Sequence, residues 1–373
     1  MRSEGPIGSD RPTTKAGKIL RLVSHWAGVT GFAGLKMAFR VLVIFWAGLL
    51  ATPVVPVDTV KLTGDLGFEP QVVKDLKEGS RVDARKAVFH VANSGNALPT
   101  SRKPCETGDL PVNRYPLQIR ESPAVTLLGG LFSGSVPQKS EWQNTYCNSA
   151  GVLLRNSADG TFEGLRLRRV WDAVRITENS SGFRLRGSWI SEVRDDCIEN
   201  DYINGGLVED TLFDGCFSGL SMRPPEGEDR LPDGGPFVLR SVLMRMQPYP
   251  YKAQVQEGPP FKLDGVTAEI EIHDSILAMA DRSPVSQMRL EIGWSRIGDC
   301  SGNLLLWTAD TPWPTDFAMP PDCFRIVVGA EARAIWQRAR LNWIDCHPKI
   351  QRFEDDPISN KAACDPNDFG GKR

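Results

Sequence analysis

Histidine is scarce in this 373-residue chain: four residues, scattered, and no Cys-x-x-Cys pair accompanies them. These absences argue against a zinc site, which draws four ligands from closely spaced cysteines and histidines. An excess of charge of one sign is also missing. The 44 Lys and Arg nearly balance the 46 Asp and Glu, leaving a net charge of −2, which argues against nucleic acid as a partner. No apolar run is long enough to be an uninterrupted membrane span. The strongest, residues 41–51 (VLVIFWAGLLA), follows Arg40 and is broken further on by Pro53 and Pro56. A spanning helix needs about 20 apolar residues. The run therefore reads as the apolar region of a secretory signal, with an N-terminal anchor as the alternative and the only route to a membrane. Residues 1–57 are taken as this leader, and the expected location is secreted or periplasmic.

Eight cysteines are present: Cys105, Cys147, Cys197, Cys216, Cys300, Cys323, Cys346 and Cys364. An even count in an exported chain favours disulfides, and buried free thiols are the alternative. Cys197/Cys216 and Cys300/Cys323 are each separated by about one turn of the repeat described next, so either pair can bridge neighbouring turns. Cys346 and Cys364 are expected to tie down the C-terminal tail.

From residue 124 onward the chain consists of short alternating strands broken by Gly, Asn, Ser and Asp, the pattern of strands joined by tight turns. Residues 164–168 (GLRLR), 182–186 (GFRLR) and 206–210 (GLVED) look alike. Each is trailed by a second short strand, at 172–176, 195–199 and 218–222, and the steps 172→195→218 are both of 23 residues. Such a repeat, rich in turns and without helices, is the mark of a β-solenoid. Alternation turns Leu165, Leu167, Phe183 and Leu185 inward and the arginines between them outward. Residues 237–244, 268–277 and 303–307 read as later coils, with proline-rich insertions at 223–235, 247–260 and 311–321. Helical spacing over 68–78 predicts a helix that covers the open first coil, as solenoids need caps, and 87–92 reads as a strand containing a structural His90. Residues 331–341 have helical spacing too. The expected fold is all-β, a right-handed parallel β-helix (121–328) with a helical N-terminal cap region (58–120) and a C-terminal helix and tail (329–373).

The densest group of chemically useful side chains is 195–201 (DDCIEND), with Asp172 one coil below and Asp210 and Asp214 one coil above. Coils stack about 4.8 Å apart, so carboxylates far apart in sequence can meet. Repulsion between them raises at least one pKa, leaving one group as an acid and another ionised. Glycoside hydrolysis needs that division. The same oxygens suit Ca²⁺, which takes six to eight oxygen ligands; no motif demands a cofactor. Asp195 and Asp196 are the candidate acid and base or metal ligands, with Asp172 and Glu199 assisting. Arg175 and Arg194 are candidates to hold substrate charge, Trp171 to stack on a sugar, and Lys252 to contact substrate. Aspartates at turns bond their own backbone, which is the bland reading of Asn200, Asp201, Asn204, Asp210 and Asp214. A strip of outward arginines (Arg166, Arg168, Arg169, Arg175, Arg184, Arg186) could fork onto sugar carboxylates or simply form a solvated face.

Asp195-Asp196-Cys197-Ile198 resembles the Asp-Asp-Cys-Ile element of the polygalacturonases, pectin-cleaving hydrolases of the pectate-lyase-like β-helix superfamily. The resemblance implies the fold and a carbohydrate substrate. It covers about three coils and departs from the family's pattern. The family's Asn-Thr-Asp places its Asp where this chain has Ala173, its Gly-His-Gly places His at Ser218, and Arg-Ile-Lys is absent, with Lys252 a loose substitute. The expected function is therefore action on an extracellular, acidic polysaccharide by a monomer, as hydrolase or lyase. The competing class is a non-catalytic surface or polysaccharide-binding β-helix.

Overall fold

The computed structural model describes residues 57–91, 115–145, 150–224, 235–263, 269–280, 286–358 and 364–365. Residues 1–56 of the expected leader, Cys105 and Cys147 lie outside them. Within the described residues, runs of three or four residues with alternating apolar side chains form parallel strands joined by turns. The strands build one 22-stranded parallel sheet that nearly closes on itself as a solenoid.

Three walls can be followed through the register. The first contains Gln71–Lys74, Leu117–Arg120, Val152–Arg155, Val174–Thr177, the second half of Trp189–Asn200, the end of Leu212–Met222, and Phe261–Leu263. The second runs from Thr126–Leu128 through Thr161–Glu163, Phe183–Arg186, Gly206–Glu209, Phe237–Arg240 and Ile270–His273 to Ile297–Ser301. The third runs from Leu131–Gly134 through Arg166–Arg168, the start of Trp189–Asn200, the start of Leu212–Met222, Leu243–Met246, Ile276–Met279 and Asn303–Trp307 to Phe324–Val328. Inward residues stack in columns, such as Leu117, Val152, Val174, Ile198, Leu220 and Phe261. All six are buried, and each such side chain contributes roughly 1.5–3 kcal/mol of transfer free energy. At the corner between the first two walls a polar ladder satisfies the turns: Ser157 Oγ accepts from Ser122 N, Ser180 Oγ from Ser157 N, and Asn204 Oδ1 from Ser180 N.

The helix expected over 68–78 does not form. Gln71–Lys74 is a strand paired with Leu117–Arg120, with Val73 buried inward and Val72 exposed. The period-two alternation of this short run outweighs its helical spacing, because pairing with the next coil satisfies its backbone. Region 58–120 thus contributes strands Thr59–Asp65 and Arg81–Val91 to the same sheet. Two longer helices are present. Gln287–Ser295, which the sequence pattern did not indicate, packs Gly293 against Phe261 and buries only Leu290, Gly293 and Trp294. Gly329–Cys346 extends the expected C-terminal helix at both ends.

That helix lies on the third wall. Outward residues Trp189, Leu212, Leu243, Ile276 and Leu304 form an apolar column in register. Ala332, Ile335, Trp336, Ala339, Trp343 and Ile344 of the helix cover it as a second core. The segment that follows continues the cover. Asp356 takes the Arg166 guanidinium with two bonds, 2.9 and 2.7 Å, and the guanidinium sits over Trp189 and Phe353. Arg166 is therefore outward, as alternation requires, yet buried. The arginine strip is correspondingly not free: Arg168 meets Asp355, Arg169 meets Glu192 and Arg186 meets Glu163.

Disulfides join Cys197 to Cys216, Cys300 to Cys323, and Cys346 to Cys364. The first two link adjacent coils and the third ties the tail to the C-terminal helix. They are compatible with an extracellular or periplasmic protein.

Candidate functional site

The 23-residue repeat does not run along a single wall. Arg166 pairs with Trp189, whereas Phe183 pairs with Gly206 and Arg184 with Thr161. The look-alike segments 164–168 and 182–186 therefore belong to different walls. Strand Trp189–Asn200 is long because it turns the corner between two walls. Its first residues lie under the C-terminal helix, and a register irregularity between Val193 and Asp196 brings Asp195 and Asp196 onto the next face. Asp196 lies opposite Ser218 rather than Asp195 doing so. Asp210 and Asp214 do not join the cluster. Asp214 lies opposite Ser191 on the third wall and binds Arg245 and Arg340. Asp210 accepts from Trp343 Nε1 and lies 3.0 Å from His347 Nε2.

Asp172, Asp195 and Asp196 do converge. One carboxylate oxygen from each lies within 4.8 Å of the others, and all three residues are buried. Asp172 Oδ1 accepts from Asp196 N at 3.2 Å. Burial, then the charges of Glu199, Asp195 and Asp196, push Asp172 well above the usual carboxylate range. Burial also raises Glu199. Asp195 is pushed up to about 7, first by burial and then by Asp196, with Lys262 and the side-chain hydrogen bond from Trp142 pulling the other way.

Lys262 is the residue that sequence reasoning missed. Its Nζ lies 2.8 Å from Asp196 Oδ2 and 3.8 Å from Asp195 Oδ1. Burial disfavours its charge, but Asp196 and Asp195 outweigh burial and raise its pKa. It belongs to a column running Arg175, Glu199, Ser221, Lys262 on the outer face of the first wall. The in-out-in alternation of Phe261-Lys262-Leu263 was visible. Its coil was not, because the insertion at 247–260 breaks the 23-residue step. Lys252 instead occupies the turn of the antiparallel hairpin Tyr249–Tyr251/Gln254–Gln256, beside the Tyr251 ring.

Around the carboxyls stands a cationic rim. Arg175 reaches Glu199 Oε2 at 3.0 Å and Asp201 Oδ2 at 2.6 Å, and donates to Tyr115 Oη. Arg223, about half exposed, reaches Asp201 at 2.6 Å. Burial would raise Asp201, but these two arginines hold it below the usual range. Arg194 does not face the site's opening. It is wholly buried, donates to the carbonyls of Ser140 and Pro250, and lies over Tyr249. Burial depresses its pKa to about 10. Its task is to fasten two covering segments. Trp171 is buried as well, tilted against Trp142, so it offers no open face for a sugar. Above Asp196, the Ser218 hydroxyl stands where the polygalacturonase resemblance places a histidine. Gly258 presses on it so closely that a Cβ there would meet Ser218 Oγ at 2.4 Å.

Three converging aspartates resemble the start of a Ca²⁺ site. Ca²⁺ needs six to eight oxygens. Here the Lys262 ammonium already bonds Asp196 and stands beside Asp195, and burial with its neighbours' charges drives Asp172 toward its neutral form. The residues do not fit a resident Ca²⁺; the lysine fills the cation's role. A cavity of about 530 Å³ lies on the first coil, lined by Lys61, Leu62, Thr63, Asp83, Arg85 and Lys86, away from the coils that carry the carboxyls.

Fold and disulfides together define a disulfide-bonded parallel β-solenoid. No family model matches the chain, and no curated protein or solved structure matches it.

Proposed function

We propose that this protein is an exported glycoside hydrolase acting on an acidic extracellular polysaccharide. One observation carries the reading: a carboxyl raised to about 7, Asp195, stands beside Asp196, which is ion-paired to Lys262. Asp195 holds its proton near neutral pH and gives it to the leaving oxygen while Asp196, its carboxyl oxygen within 4.8 Å, attacks the anomeric carbon. Water, deprotonated by Asp195, then releases the sugar from Asp196. Asp172 and Glu199, both raised by burial, stand beside them. Lys262, Arg175 and Arg223 supply the positive charge that would receive a uronate. The solenoid is taken to wind right-handed, as nearly all parallel crossovers do, and the protein is taken to act as a monomer.

A second reading rests on burial. With Asp195 at 6 % and Asp196 at 1 % exposure, the network would suit a non-catalytic β-helix that uses it as an internal brace. Reducing-end release separates the two. Polygalacturonate, alginate, glycosaminoglycans and neutral glucans would be offered to the wild type and to Asp195→Asn. Products from an acidic polymer that the variant fails to make support the hydrolase. No products from any polymer, by a folded wild type, would leave the brace.

A further inference from the structure

We propose that the stretch of the first wall ahead of the carboxyl site is a track for the non-reacting part of an acidic polysaccharide, whose charges meet the ladder Lys74, Arg120, Arg155. Lys74 lies opposite Arg120, and Arg120 opposite Arg155, in the register of three successive coils. Their strand neighbours Val73, Ile119 and Leu154 are buried inward, so alternation turns the three cations outward. The side chains of Lys74 and Arg155 are 64 % and 42 % exposed, and Arg120 is half-buried. The adjacent outward column runs Gln118, Leu153, Arg175, Glu199. It joins the ladder to the rim of the carboxyl site on the same wall.

Like charges one coil apart, about 4.8 Å, repel, and like-charged neighbours across a strand pair destabilise a sheet. The second wall shows the arrangement that stability favours. There Glu163, Arg186, Glu209 and Arg240 alternate in sign along one column, and Arg186 reaches Glu163 at 2.7 Å. On the first wall the compensation is incomplete. Arg155 meets Glu178 at 2.6 Å and Lys74 meets Asp75 at 3.7 Å. Arg120 pairs with no acid among the described residues, and its Nη2 donates to the Gln118 side chain. A linear polymer with a negative charge on each unit relieves the repulsion, and guanidinium forks suit its carboxylates. A polysaccharide is chosen over a nucleic acid because the carboxyl cluster lies on the same wall, and that choice rests on the hydrolase reading above.

The test reads binding rather than cleavage. Fluorescence anisotropy with labelled fragments of polygalacturonate and alginate would compare the wild type, the double variant Arg120→Gln/Arg155→Gln, and Arg184→Gln on the second wall. The double variant is expected to bind about ten-fold more weakly at low salt, the loss of two exposed ion pairs. The difference should shrink at high salt, and Arg184→Gln should bind as the wild type does. Removing mutually repelling cations should leave the melting temperature unchanged or raise it; a fall would mark the ladder as structural and overturn the track. Wild-type affinity in the double variant would overturn it as well, as would a wild type that binds neither fragment. Tighter binding of a single-stranded oligonucleotide, lost in the same variant, would replace the polysaccharide with nucleic acid. Weakened binding in the double variant, with no hydrolysis by the wild type, would uphold the track and remove the hydrolase.

Discussion

The ammonium of Lys262 lies 2.8 Å from the Asp196 carboxylate although the two are 66 residues apart and Ser218 and Ser221 belong to the coil between them. This pair sets a cation against Asp196 in a site where three other carboxyls, Asp172, Asp195 and Glu199, are driven toward their neutral forms.

Removing Lys262 should therefore be costly. Lys262→Met leaves Asp196 buried without its counter-charge, and the expected loss is about 3–5 kcal/mol. Urea denaturation would measure it. Adding Asp196→Asn to Lys262→Met should restore a large part, because the uncompensated charge is gone. A double variant no more stable than the single one would refute the pairing.

Stability should fall as pH rises from about 4 to about 7. A carboxyl whose pKa is raised in the folded state binds more protons folded than unfolded, so the native state is favoured at low pH and loses that advantage as Asp195 ionises. A rise from 3.8 to about 7 corresponds to an upper bound on the order of 4 kcal/mol. Asp195→Asn should flatten this slope in thermal melts recorded across that range. Below pH 4 the trend reverses, because Asp201 and Asp214 are held low by arginines and must be protonated.

Two adjacent aspartates of the tail should differ sharply. Asp356 pairs with buried Arg166, and its own side chain is 4 % exposed, whereas that of Asp355, paired with Arg168, is 67 % exposed. Asp356→Ala should cost about 3–5 kcal/mol by stranding a buried guanidinium, and Asp355→Ala at most about 1 kcal/mol. Equal melting temperatures for the two variants would contradict this.

Chelation should leave the protein unchanged. With Lys262 in the cation's place, EDTA is expected to alter neither melting temperature nor any hydrolysis. A drop in either that added Ca²⁺ restores would place a metal among the aspartates.

The solenoid was legible because its period is written locally: apolar alternation and turn residues recur about every 23 positions, as 172→195→218 displays. The convergence of Asp172, Asp195 and Asp196 followed from that period alone. What the period could not supply was whatever lay beyond an insertion or a corner. Lys262 follows the hairpin insertion, so Lys252 looked nearer in sequence while lying in the hairpin turn. Trp142 and Tyr251 come from segments with no repeat. Asp214 looked like a partner for Asp195 until the corner in Trp189–Asn200 sent it to another wall. Arg194 and Trp171 have the chemistry of ligand contacts, and only the covering segments reveal that both are enclosed. The Gln71–Lys74 strand was hidden by good helical spacing, since four residues of alternation are too few to outweigh it before their strand partner is known.

In the proposed hydrolysis the Asp195 carboxyl is the proton donor near neutral pH. Its most direct test is a titration of the folded protein with ¹³C-labelled aspartate, following the carboxyl resonance assigned through Asp195→Asn. A midpoint near 7 is expected for Asp195. A midpoint near 4, the ordinary aspartate value, would contradict it and remove the acid on which the proposed hydrolysis depends.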